Sequence, residues 1–193
     1  MTDVSAILLA AGGSTRFGRP KMLAEVDGMP LVRRTASALL DGGVRELVAV
    51  LGAGAPDVAR ALGGLPLKTA VNRAWERGMF SSVLAGLEAL GPGAELFAVS
   101  PADLPFLTAE DVARTLAAAD GAPPLSLVVA AHGERRGHPL VFHRLVAERL
   151  GTWPDKRRLS DLFAEPDLTT ISVECGPGVA RDADVPSDLL ARP

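Results

Sequence analysis

The segment Leu9-Ala10-Ala11-Gly12-Gly13-Ser14-Thr15-Arg16-Phe17-Gly18-Arg19-Pro20-Lys21 sets small residues behind an apolar run and places three cations beyond them. Glycines let the backbone approach a ligand and turn N–H groups toward anionic oxygens, while Arg16 and Lys21 can neutralise phosphates from the far end of the loop. The pattern suits a polyphosphate, although alone it also fits an ordinary strand-to-helix turn with solvated cations. A Walker A loop is excluded, because Gly18 is followed by Arg19-Pro20 rather than Lys-Ser/Thr. Gly52-Ala53-Gly54-Ala55-Pro56-Asp57 lacks the third glycine of a dinucleotide fingerprint. Further along, Ser100-Pro101-Ala102-Asp103-Leu104-Pro105 puts one carboxylate just past an apolar run, where it could hold a hard divalent ion or simply open a turn. The string Arg181-Asp182-Ala183-Asp184-Val185-Pro186-Ser187-Asp188-Leu189 adds three more carboxylates and would pass alone as a solvated tail.

These residues need a scaffold, and the apolar segments supply one by alternating between two kinds. Val4 to Ala10, Leu47 to Leu51, Leu96 to Ser100 and Leu127 to Ala130 are short and apolar on both faces, as strands of a helix-covered parallel sheet are. Helix-period stretches lie between them at Leu31 to Leu40, Pro56 to Leu62, Ser81 to Leu90 and Thr108 to Ala119, the last with a Thr cap and acids in its first turn. The order predicts a three-layer α/β sandwich with a mostly parallel, Rossmann-like sheet, right-handed crossovers and ligands at the carboxyl ends of the strands. After Gly121, Leu127 to His132 and His138 to Phe142 flank a polar turn and read as a β-hairpin elaboration. Short helices near Phe142 to Leu150 and Arg158 to Ala164 and a strand at Leu168 to Val173 follow. No linker divides the chain, so residues 1–193 are expected to form one domain.

With 193 residues, 48% apolar, the chain can bury a sizeable core and is not expected to be disordered. A net charge of −3 lacks the basic excess that phosphate-backbone binding demands, so nucleic acid is not an expected partner. The longest nearly unbroken apolar run, Val4 to Ala11, is well short of the ~20 residues of a membrane span, and no basic segment precedes it, which points to a cytoplasmic protein without membrane partners. One cysteine, Cys175, excludes an internal disulfide and any multi-cysteine metal site.

Asn72 follows a predicted strand, and Ser81 and Ser82 stand at the start of a helix that they could cap. Trp75 and Met79 read as packing residues beside that helix start. His132, His138 and His143 form no metal-ligand helix pattern. Lys156, Arg157 and Arg158 form a basic cluster that could hold a phosphate or lie exposed as a turn.

The loop Leu9 to Lys21 matches at every signature position the pattern Leu-Ala-Ala-Gly-x-Ser-x-Arg-x-Gly-x-x-Lys, and in this the chain resembles the MobA/MocA-like nucleotidyltransferases, which include molybdenum-cofactor guanylyl- and cytidylyltransferases. The resemblance implies the nucleotide-diphospho-sugar transferase type of fold. It also implies nucleotide binding by Leu9, Ala10, Ala11, Gly12, Gly13 and Ser14, with Arg16 and Lys21 on the triphosphate. The string Asn72-x-x-Trp75-x-x-Gly78-Met79-x-Ser81-Ser82 resembles the cytidylyltransferase branch and implies that Asn72, Gly78, Ser81 and Ser82 lie near base and ribose, with CTP preferred to GTP. Asp103-Leu104-Pro105 matches the Asp-x-Pro motif and implies a Mg2+ ligand at Asp103. The closing acidic string implies a second at Asp184, with Asp182 in reserve and Asp188 capping a terminal helix. Gly137-His138-Pro139 implies a role for His138 on the acceptor side. The Gly-Asp-x-Gly-Ala-Arg string usual after the hairpin is replaced by Trp153-Pro154-Asp155-Lys156-Arg157-Arg158, so the resemblance weakens where the acceptor is decided.

The implied activity is Mg2+-dependent transfer of a nucleoside monophosphate from an NTP, CTP by preference, to a phosphate-bearing acceptor with release of pyrophosphate. The family points to molybdopterin as acceptor and to hand-over of the product to a molybdoenzyme or its chaperone. Three rival readings remain: a sugar- or polyol-phosphate nucleotidyltransferase, a nucleotide sensor without turnover, and a flavin or nicotinamide oxidoreductase, the last weakened by the absent dinucleotide fingerprint.

Overall fold

The computed structural model describes residues 2–14, 17–18, 20–154 and 156–190. Strand β1 (Val4–Ala10) is buried at all seven positions, and its alternating side chains serve two cores. Ile7 and Leu9 face one apolar layer with Val48, Val50 and Val99, while Ala6, Leu8 and Ala10 face the other with Leu47, Ala49 and Leu51. A two-residue hairpin follows, β2 (Glu25–Val26) and β3 (Met29–Pro30), joined through Asp27 and Gly28 at φ 52° and 75°.

Helix α1 (Leu31–Asp41) precedes β4 (Glu46–Leu51), α2 (Ala55–Ala61) and β5 (Lys68–Val71), and α3 (Met79–Ala89) leads to β6 (Leu96–Pro101). The helix α4 (Ala109–Ala119) is capped by Thr108, whose Oγ1 accepts from Asp111 N at 3.1 Å, as the sequence predicts. Then come β7 (Ser126–His132), β8 (Arg135–His143), α5 (Arg144–Gly151) and β9 (Thr169–Glu174).

The seven-stranded sheet runs β5-β4-β1-β6-β8-β7-β9. Strands β5, β4, β1 and β6 are mutually parallel, and β9 is parallel to β7. The expected α/β sandwich and its mostly parallel sheet are present, with one difference in detail. β8 inserts between β6 and β7, antiparallel to both, because a tight hairpin must return its second strand beside the first. Helix α3 lies close enough to the sheet that a Cβ on Gly86 would stand 2.4 Å from Ile7 Cγ2, which leaves room for glycine alone. The short helix expected near Arg158 to Ala164 is a 3-10 helix, Leu159–Ala164, held to the adjoining core by Leu159 and Leu162.

Because β5, β4, β1 and β6 run the same way, the segments after them open on one edge of the sheet. That edge gathers the glycine-rich loop, Gly52 to Gly54, Asn72 and Asp103.

Candidate active site

The loop leaves β1 under backbone control. Leu9 O accepts from Ala102 N at 3.0 Å and Ala11 O accepts from Ala53 N at 3.2 Å, tying its root to the segments beyond β6 and β4. Ser14 takes the left-handed region at φ 52°, and its Oγ accepts from Lys21 N at 3.0 Å. This bond closes the loop on itself and delivers Lys21 at the start of a short 3-10 helix, Lys21–Leu23. Arg16, the other expected phosphate ligand, lies outside the described residues.

Lys21 Nζ donates to Asp103 Oδ2 at 2.6 Å, across 82 positions of sequence. Both side chains are largely shielded from solvent, at 12% and 17% exposed, so the ion pair is far less screened than a surface pair. The other carboxylate oxygen, Asp103 Oδ1, is buried with no hydrogen-bond partner. An uncompensated buried carboxylate oxygen costs free energy, which makes it a natural place for a cation. Asp184 Oδ1 lies 3.9 Å from Lys21 Nζ.

The carboxyl-terminal segment reaches this point by a packing argument. Ala183 is wholly buried against Phe17, Ala24, Val26, Leu31 and Leu189, and its N–H donates to Asp103 O at 2.9 Å. Asp188 Oδ2 accepts from Asp184 N and Val185 N at 2.8 and 2.9 Å, and these two donors hold its carboxyl below the usual aspartate value. Asp188 thus organises the turn into the 3-10 helix Pro186–Leu189, and Asp184 rather than Asp182 is set beside Lys21. Asp182 is exposed and lines a small cleft with Asp103 and His138.

A cleft of about 330 Å3 holds Ala11, Gly12, Ser14, Lys21, Asp103 and Asp184 on one lining. Its other wall is Trp75, Gly78, Met79 and Ser82. Here the sequence expectation for Trp75 and Met79 is corrected. Met79 is 56% exposed, and Trp75 is half-buried with its ring against the loops rather than in the core. A Cβ on Gly13 would lie 3.1 Å from that ring and one on Gly52 2.8 Å, so glycine at both places lets the indole close the cleft.

Asn72, 6% exposed, acts behind this wall. Its Nδ2 donates to Ser81 Oγ at 2.9 Å and Ser82 Oγ at 3.0 Å, and its Oδ1 accepts from Ala74 N at 2.9 Å. The two serines therefore do not cap α3. Gly78 occupies the cap position, and Ser81 donates back to Gly78 O at 2.8 Å.

His138 stands beyond Met79 and follows a different logic. Its Nδ1 is 3.3 Å from Val99 O, a carbonyl that can only accept, so Nδ1 carries the proton and Nε2 is left as an acceptor. Burial pushes the imidazole below its ordinary value of 6.5, against the opposing pull of Val99, Asp103 and Asp182. Missed by sequence reasoning is Glu46, whose carboxylate accepts from Lys68 Nζ at 2.7 Å, Ser5 Oγ at 3.0 Å and Gly91 N at 3.2 Å. These donors, Lys68 foremost, hold its carboxyl below the usual range and tie the sheet together far from the cleft. Cys175 is buried, and desolvation pushes its thiol up, which leaves it no nucleophilic character.

Among the described residues no three potential metal ligands of the His, Cys, Asp and Glu kinds cluster, and the carboxylates that stand beside Lys21 are Asp103 and Asp184. That donor set fits Mg2+, which takes one or two carboxylates and keeps water or phosphate oxygens in its remaining positions. No helix among the described residues is long and apolar enough to cross a membrane.

Residues 6–170 match the model of the MobA-like NTP transferase domain. Nicotine blue oxidoreductase of Paenarthrobacter nicotinovorans is 38% identical over 147 residues, spanning 72% of this chain and 70% of that protein. The bifunctional protein GlmU of Anaeromyxobacter sp. (strain Fw109-5) is 37% identical across 78% of this chain, which spans only 31% of GlmU. Among solved structures, a nucleotidyl transferase from Methanothermobacter thermautotroptrophicus superimposes with a TM-score of 0.84 at 22% identity, covering 98% of this chain and 95% of that one. Rv0371c of Mycobacterium tuberculosis H37Rv in complex with manganese gives 0.79 at 21% identity, covering 97% and 96%. These likenesses establish the α/β nucleotidyltransferase fold.

Proposed function

The chain belongs to the MobA-like NTP transferase domain family, and from that premise we propose that it transfers a nucleoside monophosphate, from CTP by preference, to a phosphate-bearing acceptor with release of pyrophosphate. The observation that carries this reading is the meeting of Lys21 and Asp103 at the mouth of the glycine-rich loop, with Asp103 Oδ1 buried and unpaired beside them. The loop N–H groups from Ala11 to Ser14 and the Lys21 ammonium receive the triphosphate, and Arg16 adds charge from the same loop. Gly78 and Ser82 face the nucleoside, while Asn72 fixes the serines and Trp75 walls the cleft.

Asp103 and Asp184 would hold Mg2+, which supplies charge neutralisation at the transferring and departing phosphates when bound. A manganese complex of the Mycobacterium tuberculosis relative supports a divalent ion in this fold. A phosphate acceptor is already an anion, so no residue need remove a proton from it. The chain then works by positioning and by placing positive charge where negative charge develops. His138, neutral and on the far side of Met79, faces the acceptor.

We propose molybdopterin as acceptor, the cytoplasm as the place of reaction, and a molybdoenzyme or its chaperone as recipient of the product. A second reading, supported by the 38% identity to Nicotine blue oxidoreductase, is an oxidoreductase activity. Pyrophosphate release from each of the four NTPs with Mg2+, with and without molybdopterin, tests the first. Oxidation of NADH or NADPH with nicotine blue tests the second. Release from CTP that depends on molybdopterin supports transfer, whereas nicotinamide oxidation without any pyrophosphate supports the alternative.

A further inference from the structure

The seven-stranded sheet ends in β5 on one side and β9 on the other, and the two edges are not alike. Strand β5 is four residues long and begins with Lys68, two places after Pro66, which is the short, charged kind of edge that resists pairing. Strand β9 is six residues long and reads Thr169-Thr170-Ile171-Ser172-Val173-Glu174, with neither lysine nor proline.

The phase of the β9 ladder decides which of its backbone groups are engaged. Thr169 N donates to Leu125 O at 3.0 Å and Cys175 N donates to Ala131 O at 2.8 Å. A parallel ladder engages alternate residues, so Thr169, Ile171, Val173 and Cys175 turn their N–H and C=O groups to β7, while Leu168, Thr170, Ser172 and Glu174 turn theirs outward. Both ends of this outward row are closed from within the chain. Leu168 N donates to Glu165 O at 3.2 Å, and Glu174 O accepts from Arg114 Nη1 at 3.1 Å. Between them stand Thr170 and Ser172, both exposed, whose N–H and C=O groups meet no partner among the described residues. These free groups are symmetric about Ile171.

We propose that β9 pairs antiparallel with β9 of a second copy of this chain, about a two-fold axis through Ile171, so that two sheets become one. Facing residues of an antiparallel ladder can exchange both bonds, and Thr170 opposite Ser172 of the second copy, with its symmetry mate, uses every free group and no engaged one. An axis through Ser172 instead would call on Glu174 O, which Arg114 already holds. The side chains agree with the first register. Thr170 meets Ser172 on one face, hydroxyl to hydroxyl; on the other, Ile171 meets its own mate and Val173 meets Thr169, with no like charges opposed. Strand β9 runs in the direction of β1, so the two-fold sends the two clefts to opposite ends of the joined sheet and leaves both open.

Sedimentation velocity of the full chain from about 1 to about 300 µM tests the pairing. The expected result is a concentration-dependent equilibrium of monomer and dimer. Ser172→Pro removes only an outward N–H, so the ladder to β7 stays intact while the dimer weakens at least about ten-fold, since each dimer loses that bond on both sides of the axis. Affinity for CTP stays within about two-fold of the wild type, because the clefts lie away from β9. Two cysteine variants keep the test decisive should Ser172→Pro fail to fold. Ile171→Cys places two thiols at the axis, with Cα atoms ~4.5 Å apart and within disulfide reach, and cross-links under mild oxidation; Ser172→Cys, which faces Thr170, does not. A chain that is monomeric throughout the range, a dimer equally tight in Ser172→Pro, or cross-linking of Ser172→Cys as complete as that of Ile171→Cys would each overturn the proposal.

Discussion

Lys21 Nζ and Asp103 Oδ2 stand 2.6 Å apart, one side chain delivered by the loop after β1 and the other by the turn after β6. The ammonium thus lies against the same carboxylate that, under the proposed function, would hold a divalent ion. Lys21→Ala should therefore raise the affinity of the nucleotide-free protein for Mn2+, read by electron paramagnetic resonance, while lowering kcat by about 10² to 10³, the cost typical of losing one charge-stabilising donor. Unchanged Mn2+ affinity would mean that the pair does not compete with metal.

Asp103→Asn should abolish metal-stimulated turnover, and Asp184→Asn should weaken it less, because Asp184 lies farther from Lys21 and is the more exposed of the two. Folding should survive, since an amide oxygen can still accept from Lys21 Nζ, Asp103 Oδ1 makes no bond to lose and the bond of Ala183 N is to the backbone oxygen of Asp103. Thermal denaturation and a Mg2+ titration of rate check both halves; a Tm loss as large as the rate loss would assign Asp103 to structure.

Asn72 makes three hydrogen bonds from a buried position, so Asn72→Ala leaves buried groups without partners and should cost about 1–3 kcal/mol. For a chain of this size that is a fall in Tm of roughly 2–12 °C. The KM for the NTP should rise with it, because Ser82 and the Gly78 turn lose their anchor. A raised KM with unchanged Tm would show that Asn72 touches the nucleoside rather than positioning what does.

His138 makes stability depend on pH in a defined direction. Burial lowers its folded pKa below the 6.5 of the free side chain, so the unfolded chain takes up a proton in a range where the folded chain does not. Stability from this group is whole above 6.5 and falls as pH drops through 6.5 toward the lowered value. The wild-type Tm should thus fall more between pH 7.5 and 5.5 than that of His138→Asn. Glu46, lowered by Lys68, acts only below its ordinary 4.5 and leaves that window clear. Parallel Tm curves would remove His138 from the account.

Much of the scaffold was legible in the sequence because its signals are local. Val4 to Ala10 reads as a doubly buried strand and is one, and Thr108 caps α4 as its spacing with Asp111 requires. The small hairpin Glu25–Pro30 also carries a local signal, the Asp27-Gly28 pair, both residues of which take positive φ. What escaped was decided by distant partners. Trp75 and Met79 beside a helix start look like core, and only the glycines at 13 and 52, from two other loops, draw the indole to the cleft. The place of Asp184 beside Lys21 depends on Ala183 packing between Phe17 and Leu189, which no spacing reveals. Likewise Lys156, Arg157 and Arg158 look alike in the chain, and only Glu165 and Asp161 in the fold take Arg157 out of play.

The most direct test of nucleotidyl transfer is mass spectrometry of molybdopterin incubated with CTP, Mg2+ and the protein. The expected products are an adduct heavier by one cytidylyl group and an equal amount of pyrophosphate, both lost in Asp103→Asn. Bound CTP recovered intact, with neither adduct nor pyrophosphate, would contradict it.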